Sequence, residues 1–175
     1  MWLRGAARLV TLHELRVSAV FLKRRTTNAR KRSERVTSRA ALFSNRHTLR
    51  VIYGDTDQMG IVYYANHLRY FEAGRNELMR KMELPYKELE KLGYALPVAS
   101  AQVDYRSPAR YDDELELETS LVEVRHASVR IRYRLMRRPD GALVATGETT
   151  HAVIGPDGKV TRIPPELRRI LLREE

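Results

Sequence analysis

The sequence contains no cysteine. Disulfides, thiolate metal sites and cysteine nucleophiles are therefore excluded, and the composition suits a reducing compartment such as the cytoplasm. No run approaches the roughly 18 to 20 consecutive apolar residues of a transmembrane helix, so we expect no membrane span. The Gly-x-Ser-x-Gly elbow, the His-Glu-x-x-His motif, the phosphate-binding glycine loop and the dinucleotide fingerprint are also missing. The five histidines have no metal-ligand spacing, so we predict no metal site.

Acidic residues are scarce in the first 50 positions. That segment holds 13 basic and only two acidic residues, a net charge of +11, whereas residues 51–175 hold 19 basic and 20 acidic residues, a net charge of −1. The overall charge of +10 therefore belongs to the start of the chain. Without interleaved aromatic residues or a recognisable binding module, this basicity does not predict a nucleic-acid partner.

Residues 1–45 form a basic leader, and residues 46–175 form one domain in our prediction. The leader has arginine- and lysine-rich clusters at 23–25 and 30–32, and its apolar segment 9–22 is interrupted by charged residues. That interruption argues against a secretory signal. Three interpretations stay open: a disordered tail, an organelle transit segment, and upstream sequence translated from a misassigned start, of which we favour the last.

The predicted domain begins with a short strand, His47–Tyr53, and a polar turn, and continues with a long helix that Asn66 caps. Leu68, Phe71, Leu78 and Met82 recur at helical spacing and should face the core. A glycine inside this helix, Gly74, costs about 1 kcal/mol relative to alanine, which predicts a close neighbour there. Pro85 ends the helix, and a second, short helix is expected over residues 86–92.

The rest of the sequence predicts strands and one closing helix. The strands are expected over residues 94–105, 115–124, 128–136 and 142–154, with a hairpin turn at Pro139-Asp140-Gly141, and the helix over residues 164–172. One long helix followed by about four antiparallel strands predicts an α+β fold.

The most informative segment is Tyr53–His67, where two aspartates, Asp55 and Asp57, precede the main helix. The start of a helix carries unpaired N–H groups and about half a positive charge. Such donors can stabilise a carbonyl oxygen that gains negative charge, while a nearby carboxylate attacks the carbonyl or activates water. The alternative is that both aspartates only shape the turn.

This segment resembles the signature of the 4-hydroxybenzoyl-CoA thioesterase family, which runs approximately Asp-x-Asp-x-x-Gly-x-Val-(Tyr/Trp)-(His/Tyr)-x-Asn. The Tol-Pal-associated acyl-CoA thioesterase branch is most similar. The resemblance continues through residues 70–77 and 103–115 and covers about residues 46–172. It implies a hotdog fold, in which a curved antiparallel sheet wraps a long helix, and hydrolysis of an acyl-CoA to free acid and CoA without a cofactor.

The resemblance also implies roles for individual residues. Asp57 is the catalytic carboxylate, as a general base or a nucleophile, and the backbone N–H near Tyr64 polarises the thioester carbonyl. Asp55 is interpreted as structural, and Asp112-Asp113 as part of a turn. The residues expected to contact substrate are Tyr53, Gly60, Asn66 and Arg106. Arg110 and the row Arg130, Arg132 and Arg134 are further candidates for the CoA phosphates, although such a row is more often a solvated face.

Members of this family assemble as homodimers or homotetramers with the site between subunits, and the same assembly is expected here. A rival interpretation is a non-catalytic hotdog subunit that binds acyl-CoA or acyl carrier protein. Asp57 argues against it, because a pure binding protein does not need that carboxylate. A hotdog hydratase is a second rival, but we do not find the Asp/His motif of those enzymes.

Overall fold

A computed structural model describes residues 41–173, so the predicted leader lies outside the described residues except for its last five positions. The five strands are β1 Phe43–Arg50, β2 Val98–Tyr105, β3 Glu114–Val124, β4 Ser128–Arg137 and β5 Leu143–Ala152. The three helices are α1 Asn66–Lys81, α2 Tyr86–Lys91 and α3 Pro165–Leu172. The predicted α+β class is confirmed. None of the helices in this part of the chain is long and apolar enough to cross a membrane.

All five strands belong to one antiparallel sheet with the order β1-β3-β4-β5-β2. The first two strands in sequence are therefore its two edges. Helix α1 lies in the chain between these edge strands and packs against β1 and β3. This combination of a long helix and an antiparallel sheet is the hotdog arrangement expected from the sequence.

Successive side chains of a strand point to opposite faces of the sheet. Because apolar residues recur at every second position of the central strands, one face of the sheet is apolar and the other is polar. One face is buried and carries, among others, Leu115, Leu117, Leu121, Ile131, Tyr133 and Leu135. The other face carries the predicted row of arginines, of which Arg130 forms ion pairs with Glu123 and Glu148. The row thus belongs to a charged face that points away from the core.

Helix α1 approaches the sheet closely at its middle. The ring of Phe71 stacks on that of Tyr133 with centroids 4.4 Å apart. A Cβ added to Gly74 would lie 2.4 Å from Thr119 Oγ1, which confirms the predicted close neighbour. Leu78 and Met82 are buried as predicted, whereas Leu68 is exposed. The buried stripe of the helix runs through His67, one position before Leu68, and the leucine is turned to solvent.

Several strand boundaries differ from the prediction, those of β1 and β2 by the most residues. Strand β1 begins earlier than the predicted His47–Tyr53, since Phe43 already pairs with Leu121 of β3. It also ends earlier, because residues 53–55 leave the sheet in a 3₁₀ turn. Strand β2 begins at Val98 and not at residue 94, since Pro97 has no N–H to contribute to a ladder. The two short helices are confirmed, and so is the hairpin turn, where the Arg137 N–H donates to the Ala142 carbonyl at 2.9 Å.

Candidate active site

Residues 56–62 form a small closed hairpin, called here the Asp57 turn, between the 3₁₀ turn and helix α1. Thr56 and Val62 form an antiparallel bridge. Inside it, the Asp57 N–H donates to the Ile61 carbonyl at 3.0 Å, and the Gly60 N–H donates to the Asp57 carbonyl at 2.9 Å. Gly60 has a φ of +68°, a conformation that favours glycine. The position of Asp57 is therefore fixed by local backbone hydrogen bonds.

The carboxylate of Asp57 is half-exposed and only partly engaged. Its Oδ1 accepts the Met59 N–H at 2.8 Å, while Oδ2 has no hydrogen-bond partner among residues 41–173. A carboxylate held through one oxygen keeps the other free to take a proton or to attack an electrophile. Across the same residues, no group of three or more His, Asp or Glu side chains is arranged to hold a metal ion.

Asp55, two residues earlier, is buried and fully engaged. Its Oδ2 accepts the Tyr70 hydroxyl at 2.7 Å and its Oδ1 accepts Arg69 Nη1 at 3.3 Å. Burial raises the pKa of the Tyr70 phenol, and the hydrogen bond to Asp55 raises it further. Both partners lie on helix α1, so Asp55 joins the turn to the helix, in agreement with its structural interpretation.

The start of helix α1 is not capped by a side chain, and the predicted N-cap role of Asn66 is wrong. Ala65 is the N-cap residue, and Asn66 is the first residue of the helix. Asn66 Nδ2 donates to the Asp55 carbonyl at 2.9 Å and Oδ1 accepts from Arg69 at 3.3 Å, so its side chain points back toward the loop. In the described part of the chain, the N–H groups of Tyr64 and Ala65 have no acceptor. Two donors at the helix start therefore remain available.

Two tyrosines stand between the Asp57 turn and the helix. The rings of Tyr63 and Tyr64 lie 4.4 Å apart, and both residues are exposed. The neighbouring Tyr64 phenol raises the pKa of Tyr63, and the charge of Asp57 makes a smaller contribution in the same direction. The Asp57 carboxylate and the two phenols thus share one electrostatic environment.

The remaining residues predicted to contact substrate lie around this turn or after β2. Tyr53 is 79% exposed, and its ring meets Tyr111 edge-on at 5.8 Å, so packing in the core is not its role. The Gly60 carbonyl accepts Arg110 Nη1 at 3.3 Å, which places one candidate cation beside the turn. Arg106 is exposed directly after β2, and its N–H donates to Val144 O at 2.8 Å.

Two residues of this region were not found from the sequence. The hydroxyl of Tyr105, at the end of β2, donates to the Tyr64 carbonyl at 3.0 Å. His67 Nδ1 lies 3.1 Å from the same carbonyl. A carbonyl only accepts hydrogen bonds, so Nδ1 carries the proton. Nothing local marks Tyr105, which is 41 residues from Tyr64, and a single histidine on a helix has no distinctive spacing.

Comparison with known proteins adds independent findings. The family model of the thioesterase-like superfamily matches residues 51–171. A putative esterase of Aquifex aeolicus is 31% identical over 122 residues, which are 70% of this chain and 93% of the relative. The acyl-CoA thioesterase YbgC of Haemophilus influenzae is 39% identical over 90 residues, which are 51% of this chain and 66% of the relative.

A solved structure is similar over the same region. It is that of a 4-hydroxybenzoyl CoA thioesterase mutant, with an aspartate replaced by asparagine, in complex with 4-hydroxybenzoyl CoA. The TM-score is 0.67 at 26% identity, and the match covers 73% of this chain and 98% of that structure. The span of the family model includes the Asp57 turn, helix α1 and strands β2 to β5.

Proposed function

The chain belongs to the thioesterase-like superfamily, and from that premise we propose that it hydrolyses the thioester bond of an acyl-CoA. The products are the free acid and CoA. The similar proteins that carry an activity in their names, YbgC and 4-hydroxybenzoyl CoA thioesterase, support this reaction class. The proposed reaction centre consists of Asp57 and the start of helix α1.

One observation carries the proposal: a carboxylate oxygen without a partner lies in the turn that leads into a helix with free N–H groups. Asp57 Oδ2 and the Tyr64 N–H have no partner in the described residues, although most polar groups around them do. Asp57 is partly exposed and Tyr64 is exposed, so a substrate can reach this part of the surface. The carboxylate supplies the base or nucleophile, and the N–H supplies a donor for the oxyanion.

In the general-base route, Asp57 takes a proton from a water molecule as its oxygen attacks the thioester carbonyl carbon. The carbonyl oxygen becomes an oxyanion, which the Tyr64 N–H and the positive end of the helix dipole stabilise. The tetrahedral intermediate then collapses, and the carbon–sulfur bond breaks. The CoA thiolate leaves and recovers the proton from Asp57.

In the nucleophilic route, Asp57 itself attacks the carbonyl carbon. The carbon–sulfur bond breaks, the thiolate leaves, and a mixed anhydride links the acyl group to the enzyme until water hydrolyses it. Both routes depend on the aspartate charge. Under either route, a thioesterase that depends on an aspartate charge should hold its substrate once that aspartate is replaced by asparagine. The similar structure is an aspartate-to-asparagine mutant in complex with 4-hydroxybenzoyl CoA.

We assign substrate-binding roles to four residues in this proposal. The exposed ring of Tyr53 offers an apolar surface to the ligand, and the backbone of Gly60 lets it approach the turn closely. Asn66 supports this surface through the hydrogen bond from its Nδ2 to the Asp55 carbonyl. Arg106 is available to a CoA phosphate because its guanidinium has no partner in the described residues.

The site is proposed to be completed by a second copy of the chain. Strand β2 is a sheet edge, and its residues 98–102 are all exposed. An edge strand of eight residues that exposes apolar side chains such as Val98 invites pairing with another chain. The end of this strand carries Tyr105, which touches the site. Light scattering that found an active monomer at working concentrations would contradict this assembly.

The test of the function is Asp57→Asn, assayed against a panel of aliphatic and aromatic acyl-CoA substrates with a free-thiol readout. The substitution keeps the shape and the Met59 hydrogen bond but removes the charge and the proton acceptor. We expect kcat to fall at least about 10²-fold, with a much smaller change in KM. The melting temperature should stay near that of the parent, because Oδ2 makes no bond to lose.

Asp55→Asn is the matched control. It should lower the melting temperature, since it weakens the contacts to Tyr70 and Arg69, and should affect turnover only through the folded fraction. Near-normal turnover of Asp57→Asn, or a larger loss in Asp55→Asn, would refute the assignment. A parent that binds acyl-CoA or acyl carrier protein without hydrolysis would favour the non-catalytic alternative.

Residues 1–40 of the leader are proposed to be dispensable for this activity, whereas its last residues enter the sheet, and the enzyme is proposed to act in the cytoplasm. The Leu42 N–H donates to the Leu121 carbonyl at 2.8 Å, and β1 begins at Phe43. A chain beginning at Ala41 retains both features and should fold and hydrolyse acyl-CoA as the full chain does. Loss of soluble, active protein on that truncation would refute the proposal, and cell fractionation tests the location.

A further inference from the structure

The carbonyl of Tyr64 is held by two side chains, which the proposed chemistry does not by itself require. Tyr105 donates its hydroxyl from the end of β2, and His67 donates Nδ1–H from the first turn of α1. The two rings meet edge-on, with centroids 5.0 Å apart. Together they are called the carbonyl clamp.

The clamp acts on a peptide group that borders the proposed oxyanion donor. The Tyr64 carbonyl and the Ala65 N–H belong to one planar peptide and point in opposite directions. On the other side of Tyr64, the Tyr63 carbonyl accepts the Asn66 N–H at 2.9 Å. Two consecutive peptides therefore have their carbonyls bound within the chain, while the N–H groups of Tyr64 and Ala65 have no acceptor in the described residues.

Both clamp residues are placed to hold this peptide firmly. His67 is buried, only 4% exposed, so its ring has little freedom. Tyr105 lies on the sheet, so its hydroxyl ties the helix start to a different element of the fold. Hydrogen bonds that converge on a carbonyl also polarise its peptide, which strengthens the N–H on the other side as a donor.

Resting on the proposed thioesterase activity, we infer that Tyr105 and His67 are positioning residues that orient the peptides around Tyr64 toward the oxygen of the substrate thioester. Neither side chain takes part in bond making. They fix the donors before substrate arrives, and pre-positioned donors are what give an oxyanion site its effect. This role requires the hydroxyl of Tyr105 and a donor at the position of His67 Nδ1, but not an imidazole that titrates.

Tyr105→Phe tests the clamp by removing one hydroxyl and keeping the ring. We expect kcat to fall roughly 3- to 10-fold, the factor that corresponds to one neutral hydrogen bond, with KM nearly unchanged. Tyr86→Phe is the matched control: its hydroxyl accepts the Leu96 N–H at 3.1 Å and makes no hydrogen bond to Asp57, Tyr64 or His67. It loses a comparable bond to the backbone and should keep the parent kcat.

His67 is tested by a pair of variants whose melting temperatures are measured alongside. His67→Asn can place an amide N–H near the position of Nδ1 and should retain most of kcat. His67→Leu has no donor and should lose about as much as Tyr105→Phe. Equal losses in both His67 variants would show that the imidazole, and not the donor, matters, and would overturn this part of the inference.

A spectroscopic measurement separates orientation of the donors from a general loss of structure. In the Asp57→Asn background, a bound acyl-CoA labelled with ¹³C at the thioester carbonyl should show a lowered carbonyl stretching frequency in isotope-edited infrared difference spectra. Adding Tyr105→Phe should move that band back toward its frequency in solution, whereas Tyr86→Phe should not. An unchanged band and an unchanged kcat in Tyr105→Phe would overturn the clamp. A parent without any acyl-CoA hydrolysis would instead overturn the proposed function.

Discussion

Two polar regions of this protein differ in how completely their hydrogen bonds are satisfied. Within the sheet, the Tyr133 hydroxyl lies 2.9 Å from Thr149 Oγ1, Thr149 lies 2.8 Å from His151 Nε2, and His151 Nδ1 lies 3.0 Å from Leu96 O. All three side chains of this sheet polar chain are buried. At the Asp57 turn and the start of helix α1, by contrast, a carboxylate oxygen and two backbone N–H groups are without partners in the described residues.

The difference matches the roles proposed for the two regions. In the sheet polar chain, the Leu96 carbonyl fixes the proton of His151 on Nδ1, so Thr149 donates to Nε2 and Tyr133 donates to Thr149. Each member is committed to another, and nothing remains to bind a ligand. The unpartnered carboxylate oxygen of Asp57 and the N–H groups at the start of α1 lie at the surface. Water can solvate these groups until a substrate replaces it.

The largest stability effect is expected where the sheet polar chain is broken. Thr149→Val keeps the shape but leaves the Tyr133 hydroxyl and His151 Nε2 without their partner. We expect the free energy of unfolding to fall by about 2–4 kcal/mol, with kcat per folded molecule unchanged. Thr150→Val, on the opposite face of β5, is the control for chemical denaturation. Equal stabilities of the two variants would mean that the sheet polar chain does not stabilise the fold as a unit.

A smaller effect on stability is expected from Tyr70→Phe, which removes the hydrogen bond between Tyr70 of helix α1 and Asp55. The Tyr70 hydroxyl donates to the buried Asp55 carboxylate, and a bond to a charged acceptor is worth about 1.5–3 kcal/mol. The Ile52 N–H, 3.3 Å from the same oxygen, remains. We expect a lower melting temperature with turnover near the parent value. A kcat loss as large as that of Asp57→Asn would erase the distinction between the two aspartates.

The smallest effect expected is the change of stability with pH that arises from one histidine of each region, His67 and His151. Burial lowers the pKa of His67 and of His151 below the ordinary value of 6.5. Below that value the unfolded chain binds more protons than the folded one, so their contribution to stability is complete at neutral pH and is lost as the pH falls. We expect the unfolding free energy to decrease by roughly 1 kcal/mol per histidine for each pH unit below about 6.5.

The double variant with His67→Asn and His151→Gln should flatten this part of the pH profile, as measured by urea unfolding at pH 7.5 and pH 5.5. An equally steep profile in parent and double variant would assign the dependence to other groups.

The sequence predicts best what depends on residues close together in the chain. The Asp57 turn and helix α1 occupy one continuous stretch, so their pattern was recognisable, and Gly74 indicated the close helix–sheet contact. Leu68 was misplaced because two neighbouring stripes of a helix differ by only one position, and the sheet, not the helix, decides which is buried.

The rest of the candidate site depends on tertiary contacts that local patterns do not contain. Tyr105 meets Tyr64 only because the fold brings the end of β2 to the start of α1. The bond between Asp55 and Tyr70 joins residues in two different elements, and only the folded chain shows that Asp55 is engaged while Asp57 is not. A pair of aspartates two residues apart has the same appearance in either case.

The short closed backbone of the Asp57 turn has a thermodynamic consequence for turnover. The bridge between Thr56 and Val62 and the two bonds inside it order the carboxylate during folding, so the loss of conformational entropy, about 1–2 kcal/mol for each fixed residue, precedes the encounter with substrate. The chemical step then requires little further ordering of this loop. The activation entropy contributed by the protein should therefore be small, and the temperature dependence of turnover should reflect mainly the enthalpy of bond making and bond breaking.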